Sequence, residues 1–413
     1  MNELFTPYQL GPITLRNRFI RSAAFENMCQ GNRPTQMLQD YHVSVARGGV
    51  GMTTVAYCAV DQSGVSFDGQ LYVREEILPD LKRLTDAIHR EGAKASIQLG
   101  HCGNMTHYAT CHCMPLSASN GLNLYSPTIH RRMRVDEIHA MARKFGEAVD
   151  FCRRAGFDCV EIHAGHAYLI SQFLAPRTNR RHDEYGGSLE NRMRFLNEVL
   201  DEVMAHAKDD MAVVVKTNMW DDCRGGVTRE EGIRIAQEIA RHKVHGIVLS
   251  GGTVSASPMT ILGGAMPINT LAHYMPPKMW WLKAALHIPF VGDIMTPTVP
   301  FRELYFMDEA KRFQEAIKDV PLIYVGGVQS GDNCQRIMDE GFPLFQLAHV
   351  LIKDPDFVRH VQENPHYNAG CTRSNYCVGR MYSREMKCHE CVLRDGEQIP
   401  PSIRKEIAKL ELK

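Results

Sequence analysis

Residues 155–192 read AGFDCVEIHAGHAYLISQFLAPRTNRRHDEYGGSLENR. Gly156 breaks the preceding helical pattern, and the chain enters a mostly apolar run, Asp158–His163. Runs of this kind suit strands buried on both faces, as in a parallel sheet. The run ends on His163, with His166 and Tyr168 close behind. A dense polar segment from Arg177 to Tyr185 follows, then Gly186-Gly187 and a helical periodicity over Leu189–His206. Strand, polar loop and helix form one β/α unit, with its chemistry gathered after the strand.

The same unit recurs in both directions along the chain. The other predicted strands are Arg18–Ala24, Gly49–Tyr57, Ala93–Leu99, Ala212–Asn218, Gly246–Ser250, Pro321–Val325 and Leu344–Ala348. Amphipathic patterns separate them at Thr35–Ala46, Pro79–Arg90, Val135–Arg154, Arg229–Arg241, Met307–Ile317 and Asn333–Glu340. Eight strand–helix units in series predict a (β/α)8 barrel, a TIM barrel. A doubly wound open sheet is the competing architecture. Two intervals are long, between strands three and four and between strands six and seven. The second contains GGTVSASPMTILGGAMPINTLAHYMPPKMWW (251–281), rich in Gly, Pro and Met. Long loops of this kind usually serve function. The expected division is a barrel over 1–365 and a cysteine-rich tail over 366–413, packed on the barrel or extending from it.

Composition narrows the function classes. Lys plus Arg equals Asp plus Glu at 47 each, so no net charge favours nucleic acid or an anionic membrane. No apolar run approaches the roughly 18 residues of a membrane span, and the N-terminus lacks a signal-peptide pattern. Thirteen cysteines, mostly scattered, fit a reducing compartment, and the expected location is the cytoplasm.

In a barrel of this type the active site lies at the C-terminal ends of the strands. Strand three ends with Gln98 and His101, strand four with His163, His166 and Tyr168, and strand five with Lys216. Strand seven ends at Gly326-Gly327 and strand eight at Ala348-His349. Each feature alone has an ordinary structural reading: a solvated lysine, a tight turn, a capping histidine. Their convergence on one face is what independent ordinary readings do not predict. Backbone N–H groups in the glycine turn suit a phosphate. A glutamine suits the donor–acceptor edge of a pyrimidine-like ring. A lysine suits an electron-rich reduced flavin. Two imidazoles and a phenol suit a carbonyl oxygen and a proton transfer.

At this point the chain resembles the Old Yellow Enzyme family, in its NADH:flavin oxidoreductase branch, which includes the barrel domain of 2,4-dienoyl-CoA reductase. The resemblance spans roughly residues 4–392. It rests on LFTPYQLGPITLRNRFIRSAAFE (4–26), QLGHCG (98–103), the long motif of residues 155–195, VPLIYVGGV (320–328) and KDPDF (353–357). It implies a barrel holding FMN, with NAD(P)H as reductant and an enone or enoyl compound as substrate. His163 and His166 then match the pair that binds the substrate carbonyl, and Tyr168 matches the proton donor. Gln98 and Lys216 match flavin-edge ligands, and Gly326 and Gly327 the phosphate turn. Ala24, Phe25, Tyr57, Ala348 and His349 complete the expected cofactor contacts.

The chain departs from the family pattern at several places. Ala348-His349 stands where an arginine usually meets the FMN phosphate. Ala164-Gly165 inverts the usual order, and Ala167 replaces a usual glycine. Asn104 stands where an arginine is common, and Ala24-Phe25 where Thr or Cys is known. In the tail, CTRSNYCVGRMYSREMKCHEC (371–391) resembles a [4Fe–4S] element with Ser374 at the second cysteine position. Cys371, Cys377, Cys388 and Cys391 are the candidate metal ligands, for a [4Fe–4S] cluster, for zinc, or as a metal-free remnant. There is no G-x-G-x-x-G after a strand, so reductant reaches FMN at the barrel mouth or through an electron-donor protein. Three readings follow: an ene-reductase, a flavoprotein subunit reduced by a partner, and a barrel with weakened flavin binding that serves as a ligand-binding protein. Assembly into a homo-oligomer is left open.

Overall fold

The computed structural model describes residues 2–124, 127–288, 296–383 and 385–411. Eight parallel strands close into a barrel: β1 Phe19–Arg21, β2 Met52–Ala59, β3 Lys94–Gly100, β4 Cys159–Ala164, β5 Ala212–Asn218, β6 Gly246–Ser250, β7 Leu322–Val325 and β8 Leu344–Leu347. Closure comes from β8 pairing with β1, Gln346 opposite Ile20, and from β1 pairing with β2, Ile20 opposite Met52. The barrel expected from sequence is therefore present, and the open sheet is excluded. Six of the eight strand ranges differ by a few residues from the expected ones. The strand shortened most is β1, which ends at Arg21 rather than Ala24. Ser22 N still donates to Leu347 O at 2.8 Å, after which the chain turns away.

The outer helices are α1 Gln36–Arg47, α2 Leu78–Arg90, α3 Val135–Arg154, α4 Leu189–Ala207, α5 Arg229–Arg241, α6 Met307–Ala316, α7 Gly331–Asp339 and α8 Phe357–Glu363. Side chains at their starts satisfy otherwise orphaned N–H groups. Thr228 Oγ1 accepts from Glu231 N at 3.2 Å while Glu231 Oε2 accepts from Thr228 N at 3.1 Å. Among the described residues no helix is long and apolar enough to cross a membrane.

Side chains alternate in and out along a strand, so inward residues stack in layers up the barrel. The lowest layer is apolar: Ile20, Met52, Cys159, Ala212, Val214, Val248, Ile323 and Leu344 pack together. An antiparallel hairpin, Tyr8–Leu10 with Ile13–Leu15, adds Leu10, Ile13 and Leu15 to this cluster and stops the barrel's lower end. The layer above it is polar and belongs to the site.

Residues 366–411 lie against the loops after β6, β7 and β8. Asn375 Nδ2 donates to Gly263 O (2.8 Å) and Ala265 O (3.0 Å), and Gln329 Nε2 donates to Cys371 O at 3.0 Å. Glu406, in the last helix Pro401–Glu411, accepts from the backbone N–H groups of Asn269 and Thr270. Tyr376, Val392, Ile399, Ile403 and Ile407 bury one another there, with Tyr274 against them.

Candidate active site

The inward residues of β4 are Cys159, Glu161 and His163, two apart. Cys159 belongs to the apolar layer; Glu161 stands one step higher and is 0% exposed. A carboxylate so placed needs partners. Lys216 Nζ, from β5, lies 2.8 Å from Glu161 Oε1. Gln98 Nε2, from β3, donates to the same oxygen at 2.7 Å, and Gln346 Nε2, from β8, donates to Oε2 at 2.5 Å. Ser22, just past β1, donates to Gln346 Oε1 at 2.9 Å and accepts from Lys216 Nζ at 3.3 Å. Four strands and the start of the loop after β1 are thus joined through one carboxylate. Gln98 and Lys216 were expected from sequence; Glu161, Gln346 and Ser22 were not.

His163 is the next inward residue on β4 and is 4% exposed. Its Nδ1 accepts from Gly165 N at 3.3 Å, which leaves the proton on Nε2. His166 Nε2 meets Ser250 Oγ of β6 at 2.7 Å, and its N–H donates to Asn218 Oδ1 of β5 at 3.1 Å. The two imidazoles lie edge to face, with centroids 5.1 Å apart, and Tyr168 packs edge-on against His163 at 4.7 Å. The expected trio is therefore assembled. Burial, with Lys216 nearby, holds both imidazoles below their usual range, His166 down to about 3. Both are neutral donors at neutral pH. Burial likewise pushes the Tyr168 phenol up and keeps it protonated. Among the described residues the Tyr168 hydroxyl takes no hydrogen-bond partner.

The inverted Ala164-Gly165 and the Ala167 replacement have a visible consequence. His166 (φ +57°) and Ala167 (φ +65°) both stand in the left-handed region without being glycine, at a cost of roughly 1–2 kcal/mol each. Four contacts hold them: Asn218 on His166 N, Val254 N on His166 O (3.2 Å), Ser171 Oγ on Ala167 N (3.2 Å) and Gln172 Nε2 on Ala167 O (2.7 Å). Tyr57, expected as a flavin contact, stacks on the Tyr168 ring, centroids 5.6 Å apart and planes 9° off parallel. Its hydroxyl donates to Gly64 O at 3.1 Å and meets Cys102 Sγ at 2.7 Å. Tyr57 thereby braces the tyrosine. His101, just past β3, is 1% exposed and bonded to Ser63 and Gly103 N, so it is held as a buried structural residue.

Ala24 and Phe25 lie in the loop after β1. Arg21 Nη2 donates to Ala24 O at 3.0 Å, and Phe25 packs on Phe67, which meets Tyr382 of the tail. After β7, Gly326 (φ +121°) and Gly327 (φ +74°) make the expected turn. A Cβ on Gly327 would stand 2.6 Å from Leu304 N, so the segment before α6 also demands glycine there. Among the described residues the N–H groups of Gly327 and Val328 take no protein acceptor, which suits an anion. Ala348 and His349 begin the segment after β8, and burial, with Arg373 beside it, holds the His349 imidazole down at about 3. A flavin with a phosphate tail fits this set of donors along the barrel mouth.

The tail cysteines fit a metal less well. Cys371, Cys377 and Cys388 line a small pocket with Ser374, His349 and His389. Cys391 lies beside Cys388, and its Sγ donates to Lys353 O at 3.2 Å. Among the described residues no group of three or more His, Cys, Asp or Glu side chains is arranged to hold a metal ion. The polar run after the site braces the scaffold. Arg181, 3% exposed, pairs with Asp183 and donates to Ala118 O and Met133 O, and Asn179 Nδ2 bonds Phe173 O and Tyr185 O.

Known proteins bear on this geometry. The pattern of the NADH:flavin oxidoreductase / NADH oxidase family matches residues 3–257. The chain is 34% identical over 395 residues to a 4,4'-dithiodibutanoate disulfide reductase of Rhodococcus erythropolis, covering 95% of this chain and 96% of that protein. It is 28% identical over 366 residues to an NADH oxidase of Thermoanaerobacter brockii, covering 87% of this chain but only 51% of that protein, so it spans about half the relative's length. Its fold matches that of an old yellow enzyme homologue from Zymomonas mobilis with a TM-score of 0.69 at 22% identity, over 89% of this chain and 94% of that one.

Two outcomes follow from the buried charges. Lys216→Met strands the Glu161 carboxylate and should destabilise the protein by about 3–5 kcal/mol in urea unfolding, with Lys216→Met/Glu161→Gln recovering most of it. An unchanged midpoint in the single variant would show that the pair is not buried. His101 and His163 are held neutral by burial, His101 down to about 4. Unfolded histidines bind protons below about pH 6.5, so the stability from neutral burial is complete above that and lost as pH falls towards the folded values. At pH 5 each should cost on the order of 1 kcal/mol relative to pH 7.5, read from urea midpoints at the two pH values.

Proposed function

Because this chain belongs to the NADH:flavin oxidoreductase / NADH oxidase family, of Old Yellow Enzyme type, and is a flavin-dependent NAD(P)H oxidoreductase, we propose that it is an ene-reductase. Its reaction moves a hydride from NAD(P)H to the β-carbon of an α,β-unsaturated carbonyl compound and a proton to the α-carbon. Bound FMN supplies the two-electron chemistry. The barrel, expected over residues 1–365, carries the site, and the described part of the tail that begins at residue 366 covers its phosphate side.

The observation that carries this reading is the trio at the end of β4. His163 presents an Nε2 proton, because Gly165 N occupies Nδ1. With His166 it forms a neutral donor pair for a substrate carbonyl oxygen, whose negative charge grows in the transition state. A preorganised donor of this sort is worth on the order of 10²–10³ in rate. Tyr168 holds a proton on an unpartnered hydroxyl beside His163, and Tyr57 fixes its ring. Gln98 and Lys216 would hold the pyrimidine edge of the flavin, and the turns at Gly326-Gly327 and Ala348-His349 its phosphate.

A second reading is supported by the relative that matches over nearly its full length, a disulfide reductase. In it the same reduced site cleaves the S–S bond of a small carboxylate-bearing disulfide, and Tyr168 protonates the leaving thiolate. The two readings separate in one anaerobic experiment. Enzyme reduced by one equivalent of NADPH is mixed with 2-cyclohexenone or with 4,4'-dithiodibutanoate, and return of the oxidised flavin spectrum is timed. Faster re-oxidation by the enone is expected; re-oxidation by the disulfide alone would replace the first reading with the second. Tyr168→Phe should slow enone-driven re-oxidation by about 10²–10⁴-fold and leave reduction by NADPH nearly unchanged. Equal loss in both halves would remove Tyr168 from proton transfer.

A further inference from the structure

Buried guanidinium groups in this protein come with carboxylates. Arg21 faces Glu26, Arg181 faces Asp183, Arg192 faces Glu231 and Arg380 faces Glu385. Arg373 is the exception. It is 7% exposed, and among the described residues it makes no ion pair with any carboxylate. Its Nε is buried without a hydrogen-bond partner. A buried, always-charged group left without a counter-charge is costly, so its place implies an anion that arrives from outside the chain.

Its position says which anion. Arg373 comes from the tail, yet its Nη2 donates to Val328 O at 3.3 Å, in the turn after β7. Its Nη1 lies 2.9 Å from His349 Nδ1, in the segment after β8. Arginine can only donate, so His349 Nδ1 accepts and orients the guanidinium. The plane rests on the Phe301 ring, 4.2 Å from its centroid. Arg373 itself stands at φ +58°, in the left-handed region, a strained backbone that presents its side chain inward. The guanidinium therefore bridges the two turns whose N–H groups suit a phosphate, beside the unengaged N–H groups of Gly327 and Val328.

We propose that Arg373 is the phosphate anchor of the cofactor site: the tail delivers from outside the barrel the arginine that Ala348-His349 does not supply, and a phosphomonoester dianion is its missing counter-charge. The inference rests on the FMN reading above and names the residue that makes it specific for the phosphorylated flavin. It also gives the tail a task that needs no metal, since Arg373 sits between Cys371 and Ser374 and bonds to the barrel's own loops.

The test compares FMN with riboflavin, which differ by the phosphate alone. Full-length wild type, Arg373→Met and Arg373→Lys are freed of flavin and titrated with each by fluorescence quenching, with inorganic phosphate as competitor. A charge-assisted clamp of this kind is worth about 10- to 100-fold in FMN affinity. Arg373→Met should lose that much for FMN and change less than about twofold for riboflavin, as a group acting only on the phosphate requires. Arg373→Lys should recover part of the loss, and phosphate should compete only in wild type and the lysine variant. Equal weakening of both flavins would mean that Arg373 merely holds the fold, and unchanged FMN affinity would mean that it faces no phosphate; either overturns the proposal while leaving the flavin reading intact. Wild type that binds neither flavin overturns both.

Discussion

A fully buried carboxylate in the middle of a barrel has to be answered, and most of this site is the answer to Glu161. Its two oxygens are met by a lysine from β5 and by amides from β3 and β8. Those contacts require the strands to be in one register, with Gln98 opposite Glu161 and Lys216 opposite His163. A slip of one residue would turn each of these side chains out of the barrel. The same register lifts His163 one layer above the charge and sets Lys216 against Glu161. Below the network the interior is dry and apolar, closed by the N-terminal hairpin. The polar layer is thus a floor: apolar packing supports it from beneath, and the reacting groups stand on it.

Burial then sets the chemistry of those groups. Low dielectric and a neighbouring lysine keep His163 and His166 neutral, so they act through N–H donors rather than as acids. The same burial keeps Tyr168 protonated. The phenol thus keeps a proton that no protein group holds, while His163 keeps an Nε2 proton for a hydrogen bond. The strained His166-Ala167 pair is the structural cost of this arrangement, held by bonds from Asn218, Ser171 and Gln172. A loop bound so firmly presents a fixed donor geometry, which is what preorganised stabilisation of a developing charge needs.

The barrel was legible in sequence because strands buried on both faces leave continuous apolar runs, and β5 and β6 fall on the expected residues. His163, His166, Tyr168, Gln98 and Lys216 were legible because they end such runs. Glu161 was not, since a single acid inside an apolar run carries no sign of direction until its strand has neighbours. Ser250 and Asn218, which hold His166, come from other strands and share no local pattern with it. Tyr57 was expected as a cofactor contact from the family resemblance; its stacking on Tyr168 depends on packing that the sequence does not display. Arg373 was hidden for the same reason as Glu161: its meaning depends on loops some 25 to 45 residues away, which only packing brings together.

The central claim is that one site carries hydride from a nicotinamide to carbon beside a histidine-held carbonyl. It is tested most directly by isotope tracing. Enzyme, FMN and NADPH bearing deuterium at the transferred C4 position are given 2-cyclohexenone in ordinary water, and the product is examined by NMR and mass spectrometry. The account predicts cyclohexanone with one deuterium at the β-carbon and a solvent proton at the α-carbon. Oxidised NADPH without saturated product, or saturated product without deuterium at the β-carbon, would contradict it.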